Sequence, residues 1–287
     1  MAEITAASVK QLREQTGAGM MDCKRALTDA DGDPKRAVEM LRERGLAKAG
    51  KREGRATSEG LIALSVAGSS GGMVELGCET DFVARTDDFV DLAAGLAAAV
   101  ASDPGIDGPE KLLEAEVGGK KVADRVSEAI AKLGENVVVK RTARVEVDGD
   151  GNVGGYLHAG GKLGVIVGLR APGAGDALGP VAKDVAMHVA AADPSPVAVD
   201  RDGVSAELID TERGIYRAQA LQDGKPEKVV DRIVDGKIAK YLSEIVLLEQ
   251  AFVKDPDRTV GELLRGADSG AAVTAFHRFK LGEASDA

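Results

Sequence analysis

Gly77-Cys78-Glu79-Thr80-Asp81-Phe82-Val83-Ala84-Arg85 follows a short apolar run at residues 73–76 and precedes a helical pattern, so the chain turns here from strand to helix. Thr80 and Asp81 both suit the N-cap, because a short oxygen-bearing side chain there accepts from backbone N–H groups that have no partner inside the helix. An acid and an aromatic, Asp81 and Phe82, then stand together at a corner that can present both to solvent. The blander reading of the same residues has Asp81 only capping and Phe82 tucked into the core.

Outward from the corner the period of the apolar residues decides the elements. Residues 61–66 and 73–76, joined through Gly68-Ser69-Ser70-Gly71-Gly72, read as a β-hairpin, since glycines tolerate positive φ in the turn. Phe89, Val90, Leu92, Ala93, Leu96, Ala97 and Val100 supply a helix able to cover one face of that hairpin. A second helical stretch over residues 121–133 places Val122, Val126, Ile130 and Leu133 on one side and closes at Gly134. Residues 137–147 are strand-like. Residues 153–158 and 162–169 form another hairpin around Gly160-Gly161, and an alanine-rich helix over residues 177–192 follows. Hairpin-then-helix thus occurs twice, an internal duplication of an α+β unit at the level of pattern, with low residue identity between the copies.

Before the core, residues 1–45 read as three short helices. Thr5 caps the first, with Val9 and Leu12 inward and Thr16-Gly17 at its end. Asp22 starts the second, which carries Cys23, Ala26 and Leu27. Asp33 caps the third ahead of Pro34, whose missing N–H is harmless there, and Gly45 stops it. Three helices in about 45 residues make a ubiquitin-associated-type bundle near the lower size limit for independent folding. Met20 and Met21 cannot both face so small a core, and an exposed thioether suits an adaptable contact surface. Residues 46–59 are a basic, polar connector that lets the bundle pivot. Beyond the core, residues 204–244 form two helical patterns about Asp223-Gly224-Lys225-Pro226, with an apolar seam of Ile215, Ala218, Leu221, Val229, Ile233 and Ile238. A short helix at residues 260–265 and a strand at residues 272–279 return to the second sheet, and residues 282–287 read as an unstructured end.

The expected fold class is therefore α+β: an N-terminal three-helix bundle, a duplicated core with antiparallel sheets, and a protruding antiparallel coiled-coil hairpin. The expected division is a helical domain at 1–46, a basic linker at 47–59, and a core N-subdomain at 60–140. A first part of the core C-subdomain takes 141–200, the arm 201–245, and the return to the C-subdomain 246–287.

Composition narrows the function. With 287 residues and a net charge of −10, the chain is ill suited to binding nucleic acid by neutralising phosphates. Residues 1–55 hold 12 basic and 9 acidic side chains, so a mildly basic head precedes an acidic body, a distribution that suits protein partners better than a membrane. Aromatics are 3% with no Trp, so no base-stacking platform is evident. No apolar run reaches the roughly 20 residues that span a bilayer, and the N-terminus lacks the basic-then-apolar pattern of an export signal, which points to the cytoplasm. Cys23 and Cys78 lie far apart with no metal-ligand spacing and read as free thiols.

Nothing in the sequence reads as an enzyme or as a cofactor site. His158, His188 and His277 sit in no catalytic or metal motif; His188, between Met187 and Val189, reads as a hydrogen-bonded core histidine and His158, beside a glycine turn, as exposed. The glycine-rich pieces at 68–72 and 160–164 do not match a phosphate cradle. Two other classes stay open: an adaptor whose bundle binds a ubiquitin-like or other small domain, and a hydrolase using Asp81, Glu79 and His158, which lacks an apparent nucleophile or acid pair.

The Cys78–Arg85 stretch, taken with Thr16-Gly17-Ala18-Gly19-Met20-Met21-Asp22-Cys23-Lys24, resembles the bacterial elongation factor Ts family. Residues 158–165, 186–191 and 276–279 resemble it too, so the likeness covers nearly the whole chain. The resemblance implies guanine-nucleotide exchange on elongation factor Tu, in its GDP-bound and nucleotide-free forms. It implies that Thr80, Asp81, Phe82 and Val83 dislodge the partner's magnesium, and that Arg13, Met20, Met21 and His158 contact the partner. The arm becomes a candidate surface for a homodimer or heterotetramer. Two departures stand out: Gly77 occupies the place where the family commonly has Asn, and the chain stops soon after residue 283, short of the extra C-terminal helix of some members.

Overall fold

The computed structural model describes residues 4–283 apart from 51, 53 and 174, and apart from the side chains at 46, 48, 49, 175 and 176; residues 284–287 of the expected unstructured end lie outside it. Helix α1 (Ala6–Thr16) starts where Thr5 accepts from the Ser8 amide at 3.2 Å and ends at Gly17, whose φ of 67° only glycine adopts easily. Helix α2 (Met20–Asp29) begins two residues before the expected Asp22, with Gly19 as its cap. In α3 (Pro34–Gly50), Asp33 Oδ1 accepts from the Lys35 amide at 2.9 Å. Val9, Leu12, Cys23, Ala26, Leu27 and Ala37 close the small core between the three helices.

Gly45 does not stop α3, which runs on to Gly50. Gly45 is buried against helix α7 (Val122–Leu133), where a Cβ would stand 2.9 Å from that of Ala131; the glycine serves the close approach of two helices and not a turn. The first residues of the expected connector are thus helical, and described residues beyond them are fastened to the body. Arg52 Nη1 donates to the Ile130 carbonyl at 3.3 Å, and the Arg55 carbonyl accepts from Asn136 Nδ2 at 2.9 Å.

Strands β1 (Glu59–Ala67) and β2 (Ser70–Cys78) pair antiparallel from Glu59 opposite Cys78 to Ala67 opposite Ser70, so the turn is only Gly68-Ser69. Gly71 and Gly72 belong to the strand. A Cβ at Gly72 would overlap the backbone of Ala97 and Ala101, so this glycine lets a helix lie directly on the sheet. After the short α4 (Asp81–Ala84), that helix is α5 (Asp87–Ser102), which buries Phe89, Leu92, Ala93, Leu96 and Val100 against Leu61, Val74 and Leu76. Helix α6 (Pro109–Glu114) and a small hairpin of β3 (Glu116–Val117) and β4 (Lys120–Lys121), neither legible in the sequence, precede α7. Strand β5 (Val137–Glu146) then joins β2, giving the order β1-β2-β5.

The second sheet repeats this connectivity. Strands β6 (Gly151–Leu157) and β7 (Leu163–Arg170) form the hairpin, α8 (Gly179–Ala191) covers it, and the last strand, β10 (Ala272–Lys280), pairs with β7 to give the order β10-β7-β6. The two sheets face each other. Ile62, Met73, Ala143, Val145, Val153, Ile166 and Phe279 form the layer between them, while the neighbouring residues Val74, Val165 and Val167 point to the helices. Both faces of each hairpin are buried, which is why these strands read as continuous apolar runs and not as alternation. At one edge of this layer Glu75, 2% exposed, accepts from Arg141 Nε at 2.8 Å, and the Arg141 guanidinium lies 4.3 Å over the Phe279 ring and donates to the Lys280 carbonyl.

Between α8 and β10 comes the arm, α9 (Ala206–Gln222) and α10 (Glu227–Ile245), antiparallel as the Arg213–Asp235 and Arg217–Asp231 ion pairs require. Ile233 and Ile238 lie in its seam as expected, but the α9 side of the seam is not the expected one. Ile215, Ala218 and Leu221 are exposed; Leu208, Ile209, Tyr216 and Ala220 pack instead against Val230, Ile233, Val234, Ile238 and Leu242. Tyr216 takes the seam position because its ring buries edge-on to Tyr241, 6.5 Å between centroids, while the hydroxyl can reach the surface. A hairpin of β8 (Ala251–Phe252) and β9 (Asp255–Thr259) and the capping-boxed helix α11 (Val260–Ala267) lead back to β10. The architecture is α+β.

Candidate functional site

Beyond β2 the corner is built from backbone and side-chain hydrogen bonds together. Cys78 Sγ donates to the Thr80 carbonyl at 3.1 Å, and burial pushes the thiol up to about 11, so it stays protonated near neutral pH and packs without reacting. Thr80, not Asp81, caps α4: its Oγ1 accepts from the Val83 amide at 3.4 Å. At the other end of the turn Thr86 Oγ1 donates to the Val83 carbonyl at 2.8 Å. A helix this short does not sustain itself in water, so the rest of its hold must come from outside.

That hold comes from the segment just after α7. Glu135 Oε1 accepts from the Thr80 hydroxyl at 2.6 Å, and Oε2 accepts from the amides of Thr80 at 2.9 Å and Glu79 at 3.1 Å. The buried Asn136 donates its amide to Glu79 Oε1 at 2.7 Å, and Arg55 lies 3.5 Å from the same carboxylate. Glu135, Asn136 and Arg55 were not legible as site residues. The usable signal was Gly134, whose φ of 83° ends α7 and so delivers the next two residues to a fixed place.

The four corner residues divide into two pairs. Thr80 faces the Glu135 carboxylate and Val83 packs on the core of the first sheet, whereas Phe82 is 81% exposed and Asp81 faces outward in an ion pair with Arg85 at 2.8 Å. An exposed aromatic at a fixed corner forgoes the roughly 2–3 kcal/mol its burial would bring, a loss that folding alone does not explain. Gly77, at the foot of the corner, has no room for a side chain as the neighbours now stand: a Cβ would lie 2.6 Å from Lys140 Cε and 3.0 Å from Thr57 Oγ1.

His158 is exposed beside the exposed Leu157, with Tyr156 Oη 3.1 Å from its Nδ1. Its turn is seated on the first sheet: the Gly161 carbonyl accepts from the Ile62 amide at 2.7 Å, and Lys162 donates to Glu59 at 2.6 Å. Glu59 pairs with Cys78 in the β1–β2 register, so His158's turn is anchored at the end of the hairpin from which the corner departs. Lys162, with Arg85 farther off, holds the Glu59 carboxyl below the usual carboxylate range. On the head, Arg13 is exposed in the last turn of α1, and Met20 and Met21 are both exposed in the first turn of α2.

The remaining candidates find structural partners. His188 is buried and shares a 2.9 Å hydrogen bond with Gln250, a core histidine as expected. Asp81, Glu79 and His158 each bond to a different neighbour, Arg85, Asn136 and Tyr156, and form no catalytic constellation with one another. Among the described residues no cluster of His, Cys, Asp or Glu is arranged to hold a metal ion, and no helix is long and apolar enough to cross a membrane.

A family model described as Elongation factor TS matches residues 79–283. Elongation factor Ts of Chlorobium phaeobacteroides (strain BS1) is 46% identical over 292 residues, an alignment covering 98% of this chain and 100% of that protein. The protein of the same name from Clostridium perfringens (strain SM101 / Type A) is 45% identical over 287 residues, covering 98% and 93%. That of Methylococcus capsulatus (strain ATCC 33009 / NCIMB 11132 / Bath) is 47% identical over 283 residues, covering 98% and 92%.

Proposed function

The chain belongs to the elongation factor Ts family of translation elongation factors, and from that premise we propose that it is the guanine-nucleotide exchange factor of elongation factor Tu, acting in the cytoplasm without chemistry of its own. Phe82 carries the proposal: a large apolar side chain, 81% exposed, on a corner whose backbone is tied down from the rest of the core. Such a side chain is a wedge. It enters the GTPase domain at little conformational cost, because the corner that bears it is already in place. Asp81 supplies the polar contact beside it. Its ion pair with Arg85 is solvent-exposed and worth at most about 1 kcal/mol, so the carboxylate can exchange partners readily.

Displacing the partner's magnesium removes the largest positive charge opposing the diphosphate, and nucleotide affinity falls with it. Release is accelerated because the factor binds the empty partner more tightly than the loaded one, a linkage that runs in both directions. Thr80 and Val83 act from inside the corner, as cap and as apolar foot. Met20 and Met21, flexible and exposed, and Arg13 make the head's contacts, and His158 with Leu157 extends the contact from the second sheet.

The test is stopped-flow release of a fluorescent GDP from elongation factor Tu at fixed magnesium, with and without this protein. Strong acceleration is expected. Absence of any acceleration with the cognate partner would overturn the proposal and leave an adaptor built on the N-terminal helices as the better reading.

A further inference from the structure

The Glu135 side chain reaches the corner from outside it with three hydrogen bonds. Both of its carboxylate oxygens are engaged there, one by the Thr80 hydroxyl and the other by two successive backbone amides, those of Glu79 and Thr80. A carboxylate accepting from three donors is a strong, directional hold, because charge-assisted bonds are shorter and stronger than neutral ones. Its own backbone is fixed in turn: Gly134 caps α7 through a hydrogen bond from its amide to the Ile130 carbonyl, and Asn136, next along, is buried and bonded to Glu79 and Arg55.

The corner needs such a hold. Helix α4 has four residues, and the Asp81 carboxylate is paired with Arg85 of the same turn. Cys78 and Ala84 are buried in the first core and Val83 packs on it; the polar backbone between them, Glu79 and Thr80, is held by Glu135, by the Asn136–Glu79 bond and by Arg55 at 3.5 Å from Glu79. A wedge pressed into a partner pushes back on its own support, and a corner free to swing would yield before the partner did.

We propose that Glu135 is a positioning residue for exchange: on the exchange function proposed above, it fixes the Glu79–Thr80 backbone so that Phe82 enters the partner at a set angle, without touching the partner's nucleotide site itself. Glu135 does for the corner what a supporting residue does for a metal ligand, holding the working group in the one orientation that serves.

The experiment is a double-mutant cycle on the full chain, read by catalysed release of fluorescent GDP at saturating factor. Glu135→Ala is expected to slow release by about tenfold and Glu135→Gln, which keeps one accepting oxygen, by less. In a Phe82→Ala background Glu135→Ala is expected to slow release no further, since a support has nothing left to support. A normal rate in Glu135→Ala, or the same fold loss with and without Phe82, would overturn the proposal. Amide exchange of Glu79 and Thr80, followed by NMR in the free protein, separates this from the function itself: faster exchange in Glu135→Ala is expected even if the wild-type protein were to release no nucleotide, and unchanged protection there would refute the hold.

Discussion

After β2 the chain turns outward through Thr80 and Asp81 and leaves Phe82 in solvent; after β7, at the matching point of the second sheet, it passes through Ala171 and Leu178, both buried, into α8. The second turn is closed from within by Asp150, whose carbonyl accepts from the Ala171 amide and whose carboxylate accepts from the Gly173 amide at 2.8 Å. The first is closed by Glu135, from an element that follows the covering helix. Topology is shared, and the corner chemistry is not. The sheets, of order β1-β2-β5 and β10-β7-β6, are scaffolding twice over; what distinguishes the copies is which side chains their corners bear and what each copy inserts before its third strand, α6 and α7 in one and the arm in the other.

If the copies are equivalent as scaffolds, the glycines beneath their helices should be equally intolerant. Gly72 lies under α5 and Gly154 under α8, and a Cβ at either would overlap helix backbone. We expect Gly72→Val and Gly154→Val each to lower stability by about 3 kcal/mol or more in urea unfolding, or to prevent folding, since helix backbone cannot step aside as a side chain can. Tolerance at one site only would break the equivalence. The joint between the copies comes next. Arg141→Met leaves the buried Glu75 with only Lys140 at 3.8 Å and should destabilise by about 3 kcal/mol, with Glu75→Gln in the same chain restoring part of it.

A smaller effect belongs to the second copy alone. The Val253 amide donates to His188 Nδ1 at 3.2 Å, so this ring nitrogen carries no proton, and burial lowers the imidazole from its ordinary value near 6.5. The unfolded chain takes up a proton below about pH 6.5 while the folded chain does not. Stability from this group is therefore full above that pH and falls as the pH drops toward the folded value, by at most about 1.4 kcal/mol per unit. Urea melts between about pH 7 and 5 should show this slope, reduced in His188→Gln. The smallest effect is expected on the arm's outer face, where Ile215→Ser and Leu221→Ser should change stability by less than about 0.5 kcal/mol, while Val234→Ala in the true seam should cost about 1–2 kcal/mol.

Much of the scaffold could be read from the residues, because apolar runs and glycine breaks record burial directly. Both hairpins, the covering helices and the return of β10 follow from that pattern. The misreadings share a cause: a residue type with two uses. Gly45 suggested a helix end and instead lets α3 approach α7; Gly71 and Gly72 suggested a turn and instead lie between the sheets and under α5; the purely apolar Ile215, Ala218 and Leu221 suggested the α9 side of the seam, which Tyr216, apolar ring and polar tip, takes instead. At the corner, Asp81 and Phe82 were legible as neighbours at a helix start. Thr80, the residue that caps, is also the one bonded by Glu135, more than fifty residues away, a partner that no local pattern contains.

The claim that the corner, and not the shared scaffold, bears the function is tested most directly by Phe82→Ala against Val253→Ala, an exposed apolar residue of the second copy. Both variants should melt as the parent does. In stopped-flow release of fluorescent GDP from elongation factor Tu, Val253→Ala should match the parent and Phe82→Ala should be slower by a factor on the order of 30 or more, as for loss of an aromatic anchor at an interface. A Phe82→Ala protein that folds and exchanges at the parent's rate would contradict the account.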